Sequence, residues 1–123
     1  MDGRIQRVLI LIGNNLHKKV SLNNLAQYVN LSPWHLHRLF KAETGIPLAK
    51  YIKQLRMKRA ARLLEDTFLS LKEIMQEVGV YDESHFIRDF SAIYGLTPIR
   101  YRMRFHAARQ NRVCIDVAKS ASK

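Results

Sequence analysis

Apolar residues near the start of the chain fall at Ile5, Val8, Leu9, Ile12 and Leu16. That is a spacing of i, i+3, i+4, i+7 and i+11, which lays one greasy stripe along a helix. Further on, Leu22, Leu25, Ala26 and Val29 share a face behind Ser21, and Ser21 can cap a helix running to Asn30. Ser32-Pro33 is a strong start signal, a capping hydroxyl followed by proline at the first helical position, and Gly45 supplies the stop. Pro47 opens the segment LAKYIKQLRMKRAARLLEDT, in which Met57, Ala60, Ala61 and Leu64 keep helical spacing. Ser70 with Glu73 forms a capping box; Asp82 or Ser84 can cap the next helix, Gly95 ends it, and Thr97-Pro98 starts a last one. No useful run of strand alternation occurs. The pattern predicts an all-α chain.

The two halves of this pattern repeat. Arg38, Phe40, Gly45 and Tyr51 recur 50 residues later as Arg88, Phe90, Gly95 and Tyr101. Upstream the step is 49, from Leu22 to Leu71, Leu25 to Ile74, Val29 to Val78 and Leu31 to Val80. The second copy therefore carries one extra residue in its turn. Each copy reads as a small helix, a short turn and a second helix, the helix-turn-helix form. The predicted layout is a first lobe at about 4-46, a linker helix at about 48-65 and a second lobe at about 70-104, with 105-123 a partly ordered tail.

The second helix of each copy, at about 33-44 and 83-94, has an outward face unsuited to a core. On the first, Leu36, Leu39 and Phe40 point inward, while Trp34, His37, Arg38 and Lys41 share the opposite stripe without an acid. Trp34 has an alternative place as a core residue closing the turn. On the later helix Phe86, Phe90 and Ile93 are expected inward and Ser84, Ile87, Arg88 and Ser91 outward, flanked by Glu83 and His85. That stripe is less basic, and Asp82 and Asp89 lie close by, so the first helix is expected to contribute more affinity.

Charge gives these faces a meaning. The chain has 21 Lys and Arg against 10 acidic residues, a formal charge of +11 and a pI near 10.2, which favours a polyanionic partner. The hydrophobic fraction of 47% is enough for a folded core. The longest apolar run, Val8–Ile12, is far too short for a membrane span, and no cleavable leader pattern precedes it. Cys114 is the only cysteine, which excludes an intramolecular disulfide and fits a reducing cytoplasm. Lys50, Lys53, Arg56, Lys58, Arg59 and Arg62 lie in the linker without an acid, as expected of a connector tracking a nucleic-acid backbone. At ~1.5 Å per residue, about 18 residues span about 27 Å, near the ~34 Å between successive major-groove faces of one duplex side. Arg100, Arg102, Arg104, Arg109 and Arg112 form a second acid-free run.

Little in the sequence suggests chemistry. His35 and His37, two residues apart, point roughly 160° away from each other on a helix, so one helix cannot clamp a metal between them. No nucleophile–base spacing, phosphate loop, cofactor motif or metal set is present, so neither an enzyme nor a cofactor is expected. His35 reads as a half-buried or phosphate-facing side chain and His37 as a groove-facing donor.

The stretch GVYDESHFIRDFSAIYGLTPIRYR, residues 79–102, closely resembles the signature of AraC/XylS-type bacterial transcription regulators, through Gly79, Asp82, Ser84, Phe86, Arg88, Phe90, Gly95, Thr97, Pro98, Tyr101 and Arg102. LSPWHLHRLFKAETGIPLAKYI resembles the family's first recognition helix, in the form of the short single-domain MarA/SoxS/Rob group. The resemblance spans about residues 5–104. It implies a seven-helix unit of two helix-turn-helix (homeodomain-like) lobes that reads two adjacent major-groove segments of a promoter and mostly activates by recruiting RNA polymerase. Carried across, base reading falls to Trp34, His37 and Arg38 on the first helix and to Glu83, Ser84, Ile87 and Arg88 on the second. DNA-backbone contact is expected from Ser32, His35, Lys41, Lys50, Lys53, His85, Thr97 and Arg102. Ser91 stands where a basic residue is usual, and Val80 replaces a common aromatic, with Tyr81 after it.

The leading expectation is a sequence-specific DNA-binding activator, monomeric on double-stranded promoter DNA, cytoplasmic and nucleoid-associated. Alternatives are a nonspecific nucleic-acid binder, an adaptor holding polymerase with one lobe, or the DNA-binding piece of a longer effector-regulated protein.

Overall fold

Hydroxyl and carboxylate caps place most helix starts. The computed structural model describes residues 2–108. The Asp2 carboxylate accepts from the Arg4 amide at 2.8 Å and starts α1, Gly3–Asn14. Ser21, Ser32, Ser70 and Asp82 each accept the amide three residues on, at 3.1, 3.1, 3.1 and 2.9 Å. They start α2 (Leu22–Tyr28), α3 (Pro33–Thr44), α5 (Leu71–Val78) and α6 (Glu83–Tyr94). At Ser70 the capping box is complete, because the Glu73 carboxylate accepts the Ser70 amide at 3.1 Å. Pro47 precedes α4, Leu48–Asp66, without a side-chain cap. A seventh helix, α7, runs over residues 98–108, opening behind the Thr97 hydroxyl, which accepts the Arg100 amide at 3.4 Å. There is no strand among the described residues. Of the expected tail, residues 105–108 continue α7; Arg109, Arg112 and Cys114 lie outside the described residues.

Helix ends follow their punctuation. Gly45 and Gly95 take left-handed φ values of 83° and 76°, each returning its amide to the fourth residue back at 2.8 Å. α2 stops at Tyr28, two residues short of the sequence expectation, because Asn30 turns left-handed at φ 57° and Leu31 N–H bonds Ala26 O at 2.9 Å. Gly79 does the same for α5 at φ 75°, with Val80 N–H on Met75 O at 3.0 Å.

The repeat survives in packing detail. Phe40 meets Tyr51 edge to face at 5.3 Å between ring centroids. Fifty residues later Phe90 meets Tyr101 in the same arrangement at 5.3 Å. Each copy closes its own core. The first gathers Ile5, Val8, Ile12, Leu25, Leu36, Phe40 and Ile52, the second Met57, Ala60, Leu64, Ile74, Val78, Phe86 and Phe90. Two placements differ from expectation: Ile93 is exposed and Tyr94 takes the inward position against Phe90, at 4.6 Å.

α4 belongs to both cores. Its early residues Leu48, Tyr51, Ile52 and Leu55 pack into the first, its later residues Met57, Ala60, Ala61 and Leu64 into the second. At ~100° per residue these two sets lie on roughly opposite sides of the helix axis. A helix that changes its buried side halfway has no single amphipathic stripe: Leu48, Tyr51, Ile52 and Leu55 make one i, i+3, i+4, i+7 run, and Met57, Ala60, Ala61 and Leu64 make a second on the other side.

Candidate nucleic-acid interface

α3 offers an exposed, preorganised, acid-free face. Leu36 and Phe40 are wholly buried, which fixes the helix rotation and turns Trp34, His37, Arg38 and Lys41 outward. Trp34 is 65% exposed, so the core alternative for it fails. The Arg38 guanidinium carbon lies 4.7 Å from the centroid of the Trp34 ring. A cation over an indole face is held there by about 0.5–1 kcal/mol at an exposed site. The Ser32 hydroxyl accepts the His35 amide at 3.1 Å; its own proton stays available to donate. His35 is exposed, not half-buried.

α6 presents a smaller and more acidic surface. Glu83, Ser84, His85 and Arg88 are exposed and Ile87 is partly so. Ser91, expected outward, has its hydroxyl oxygen buried without a partner, so the stripe ends a turn earlier than on α3. The His85 ring lies 3.6 Å from the Asp82 carboxylate. Asp89 is flanked by two cations, Lys53 Nζ at 3.5 Å and Arg88 Nε at 3.9 Å. Lys53 and Arg88 on this side thus share one carboxylate neighbour.

The basic run of α4 is divided between separate surfaces. Lys53 reaches across to α6 through Asp89, and Lys50 lies on the same side of the helix. Lys58, Arg59 and Arg62 border instead a depression formed with Gly13, Leu16 and Leu55 at the end of α1. Arg56 is turned into the protein, its Nη2 donating to Lys18 O at 3.1 Å, and burial pulls its pKa below the ordinary arginine value. A single backbone-tracking strip along the linker is not what the side chains make.

On α7, Tyr101 and Arg102 are internal fastenings, while Arg100 and Arg104 are exposed. Arg102, expected at the DNA backbone, donates through Nε to Leu64 O at 3.2 Å, and its Nη2 is buried. The Tyr101 hydroxyl donates to Glu65 at 3.0 Å; burial, that bond and the carboxylate charge push its pKa up to about 12. Thr97 spends its oxygen on the α7 cap, which again leaves a hydroxyl proton to give. These inward bonds, of side chains reaching 36 and 38 residues back, were not readable from the sequence. The basic run around them looks the same whether it faces phosphate or a helix end.

Two capped helices of equal length, one behind each short turn and each closing a core of its own, make a doubled helix-turn-helix. A protein-family model described as "Helix-turn-helix domain" matches residues 25–104. The chain is 33% identical over 99 residues to the HTH-type transcriptional activator AarP of Providencia stuartii, covering 80% of this chain and 73% of that protein. A solved transcriptional regulator from Chromobacterium violaceum, described as an AraC-type DNA-binding domain-containing protein, superposes with a TM-score of 0.77 at 29% identity, covering 83% of this chain and 91% of that one. This chain belongs to the AraC/XylS-type regulators. The fold matches too the DNA-binding domain of AdpA, solved in complex with a target DNA, at a TM-score of 0.84, 24% identity and coverage of 89% and 98%. Other curated relatives are longer, and the chain spans only 31% and 35% of the length of two of them. Fold and family are those of sequence-specific DNA-binding transcription regulators, not of enzymes. No described helix is long and apolar enough to cross a membrane, and the described residues hold no cluster suited to a metal ion.

Proposed function

We propose that this AraC/XylS-type regulator is an activator that places α3 and α6 in adjacent major-groove segments of promoter DNA, binding as a monomer within the nucleoid and touching RNA polymerase. The observation that carries the reading is the Arg38–Trp34 pair, an exposed guanidinium held over an indole on an acid-free helix face. Arg38 reads guanine O6 and N7, Trp34 meets an apolar base edge, and His37 donates beside them. Lys41, Ser32 and His35 contact phosphates around α3. On α6, Glu83, Ser84, Ile87 and Arg88 reach bases, and His85, Lys50, Lys53 and the Thr97 hydroxyl supply backbone contacts. Arg102 serves by fastening α7 to α4, in keeping with its bond to Leu64 O.

Activation is supported by the name of the AarP relative, a transcriptional activator. The acidic surround of α6, at Asp82, Glu83 and Asp89, supports a division of labour in which the second lobe grips DNA more weakly and offers a face to polymerase. Selection of binding sites from a random pool, followed by footprinting, tests the whole. Two engaged lobes protect about two helical turns and one lobe about one. Equal affinity for selected and bulk genomic DNA at fixed salt would leave only a nonspecific binder.

A further inference from the structure

The two copies differ where one touches the other. Aligning the turns, Asn30 of the first copy corresponds to Gly79 of the second, and the extra residue of the second turn is Tyr81, between the pairs Leu31–Val80 and Ser32–Asp82. Asn30 is exposed, and its left-handed backbone tolerates a side chain. Gly79 is buried in the same conformation, and any Cβ there would overlap the Leu16 carbonyl oxygen and crowd His17 backbone atoms at 3.2 and 3.3 Å. Left-handed geometry alone would admit Asn at both places. The glycine is required by the first lobe's α1–α2 loop, residues 15–21, which lies against it.

The neighbouring carbonyls of that loop are met in order. Leu16 O lies over Gly79, His17 O accepts from the Tyr81 hydroxyl at 3.4 Å, and Lys18 O accepts from Arg56 at 3.1 Å. Arg56 gives up water to do so, with its Nε buried and without a partner. Of three consecutive carbonyls of lobe one, the first thus packs against the turn of lobe two and the next two accept hydrogen bonds from that turn and from the linker.

We propose that Gly79, Tyr81 and Arg56 are positioning residues that lock one lobe against the other through the Leu16–Lys18 carbonyls, and so fix the half-site spacing that the protein accepts. This rests on the two-lobe reading above. None of the three needs to touch DNA. The lock sets the offset between α3 and α6, and a protein with a fixed offset rejects DNA whose half-sites are one base pair, about 34° of helical twist, out of place.

The test is the ratio of affinities for the selected site and for the same site with one base pair inserted between half-sites. For the double variant Tyr81→Phe, Arg56→Gln, that ratio is expected to fall at least threefold, with affinity for an isolated first half-site unchanged. Gly79→Ala is expected to act more strongly; should it fail to fold, the double variant carries the test. In the free protein, spin labels at Ala42→Cys and Ala92→Cys, in a Cys114→Ser background, should show a broader distance distribution in the double variant. An unchanged ratio and an unchanged distribution overturn the proposal alone. A wild-type footprint covering one half-site overturns the two-lobe reading and the lock's role in spacing together.

Discussion

Trp34 and Arg38 act as a unit, so their substitutions should not add. Arg38→Ala is expected to cost about 1–3 kcal/mol at the selected site and to relax preference at one base pair. Uniform loss on every DNA sequence would make Arg38 a phosphate contact instead. Trp34→Ala removes the indole under the guanidinium, and the double substitution should cost less than the two singles together, which a double-mutant cycle on the selected DNA measures. Asp89 should act in the opposite sense. Its largely covered carboxylate sits 3.5 Å from Lys53 and 3.9 Å from Arg88, whose own side chains are exposed. Asp89→Asn is expected to tighten binding to random DNA several-fold and steepen the salt dependence. Lys53→Ala should weaken selected and random DNA alike and flatten that dependence, by ~0.9 for each phosphate it ceases to neutralise. Salt titrations that leave both slopes at the wild-type value would take Lys53 away from the interface.

Helices here are started by short side chains, and their loss should be felt element by element. Ser70→Ala removes the hydroxyl that accepts the Glu73 amide, one of the two bonds of the capping box at α5, and is expected to lower unfolding free energy by about 1 kcal/mol in a denaturant titration. Acid should reach the same caps. The bonds to Arg4 hold the Asp2 carboxyl down at about 2, and the bonds to Ser70 hold Glu73 below the ordinary glutamate range. Both folded-state values are depressed, so the stability they contribute is complete above pH ~5 and is lost as pH falls through ~4 toward 2; circular dichroism across that window follows it. At the alkaline end, Tyr101 contributes stability below pH ~10 and loses it as pH rises toward about 12. The starts at Ser21, Ser32 and Ser70 were legible in the sequence, because each of these caps needs only its own residue and an amide three positions on. The same holds for the repeat and for the α3 face, whose rotation follows from Leu36 and Phe40 alone. What could not be read depends on distant partners: the inward turn of Arg56 and Arg102, the burial of the Ser91 hydroxyl, the exchange of Ile93 for Tyr94, and the sharing of Lys53 with α6. A lysine or arginine in a basic run carries no local sign of whether a carbonyl 38 residues away awaits it.

At the scale of the whole molecule, two small cores are joined by one helix and by the loop that touches the second turn. Truncating matching positions should therefore produce matching damage. Phe40→Ala and Phe90→Ala are each expected to cost about 3–5 kcal/mol, with denaturant titrations giving similar losses of unfolding free energy for the two variants. The linker helix then has a bearing on how the protein comes apart. Because α4 lends Leu48 and Ile52 to one core and Met57, Ala60 and Leu64 to the other, neither lobe can melt without unwinding its half of a helix that the other lobe is holding. Amide hydrogens in the middle of α4, where the two claims overlap, should be the last to exchange with solvent, and the two lobes should denature as one cooperative unit although each has a separate interior.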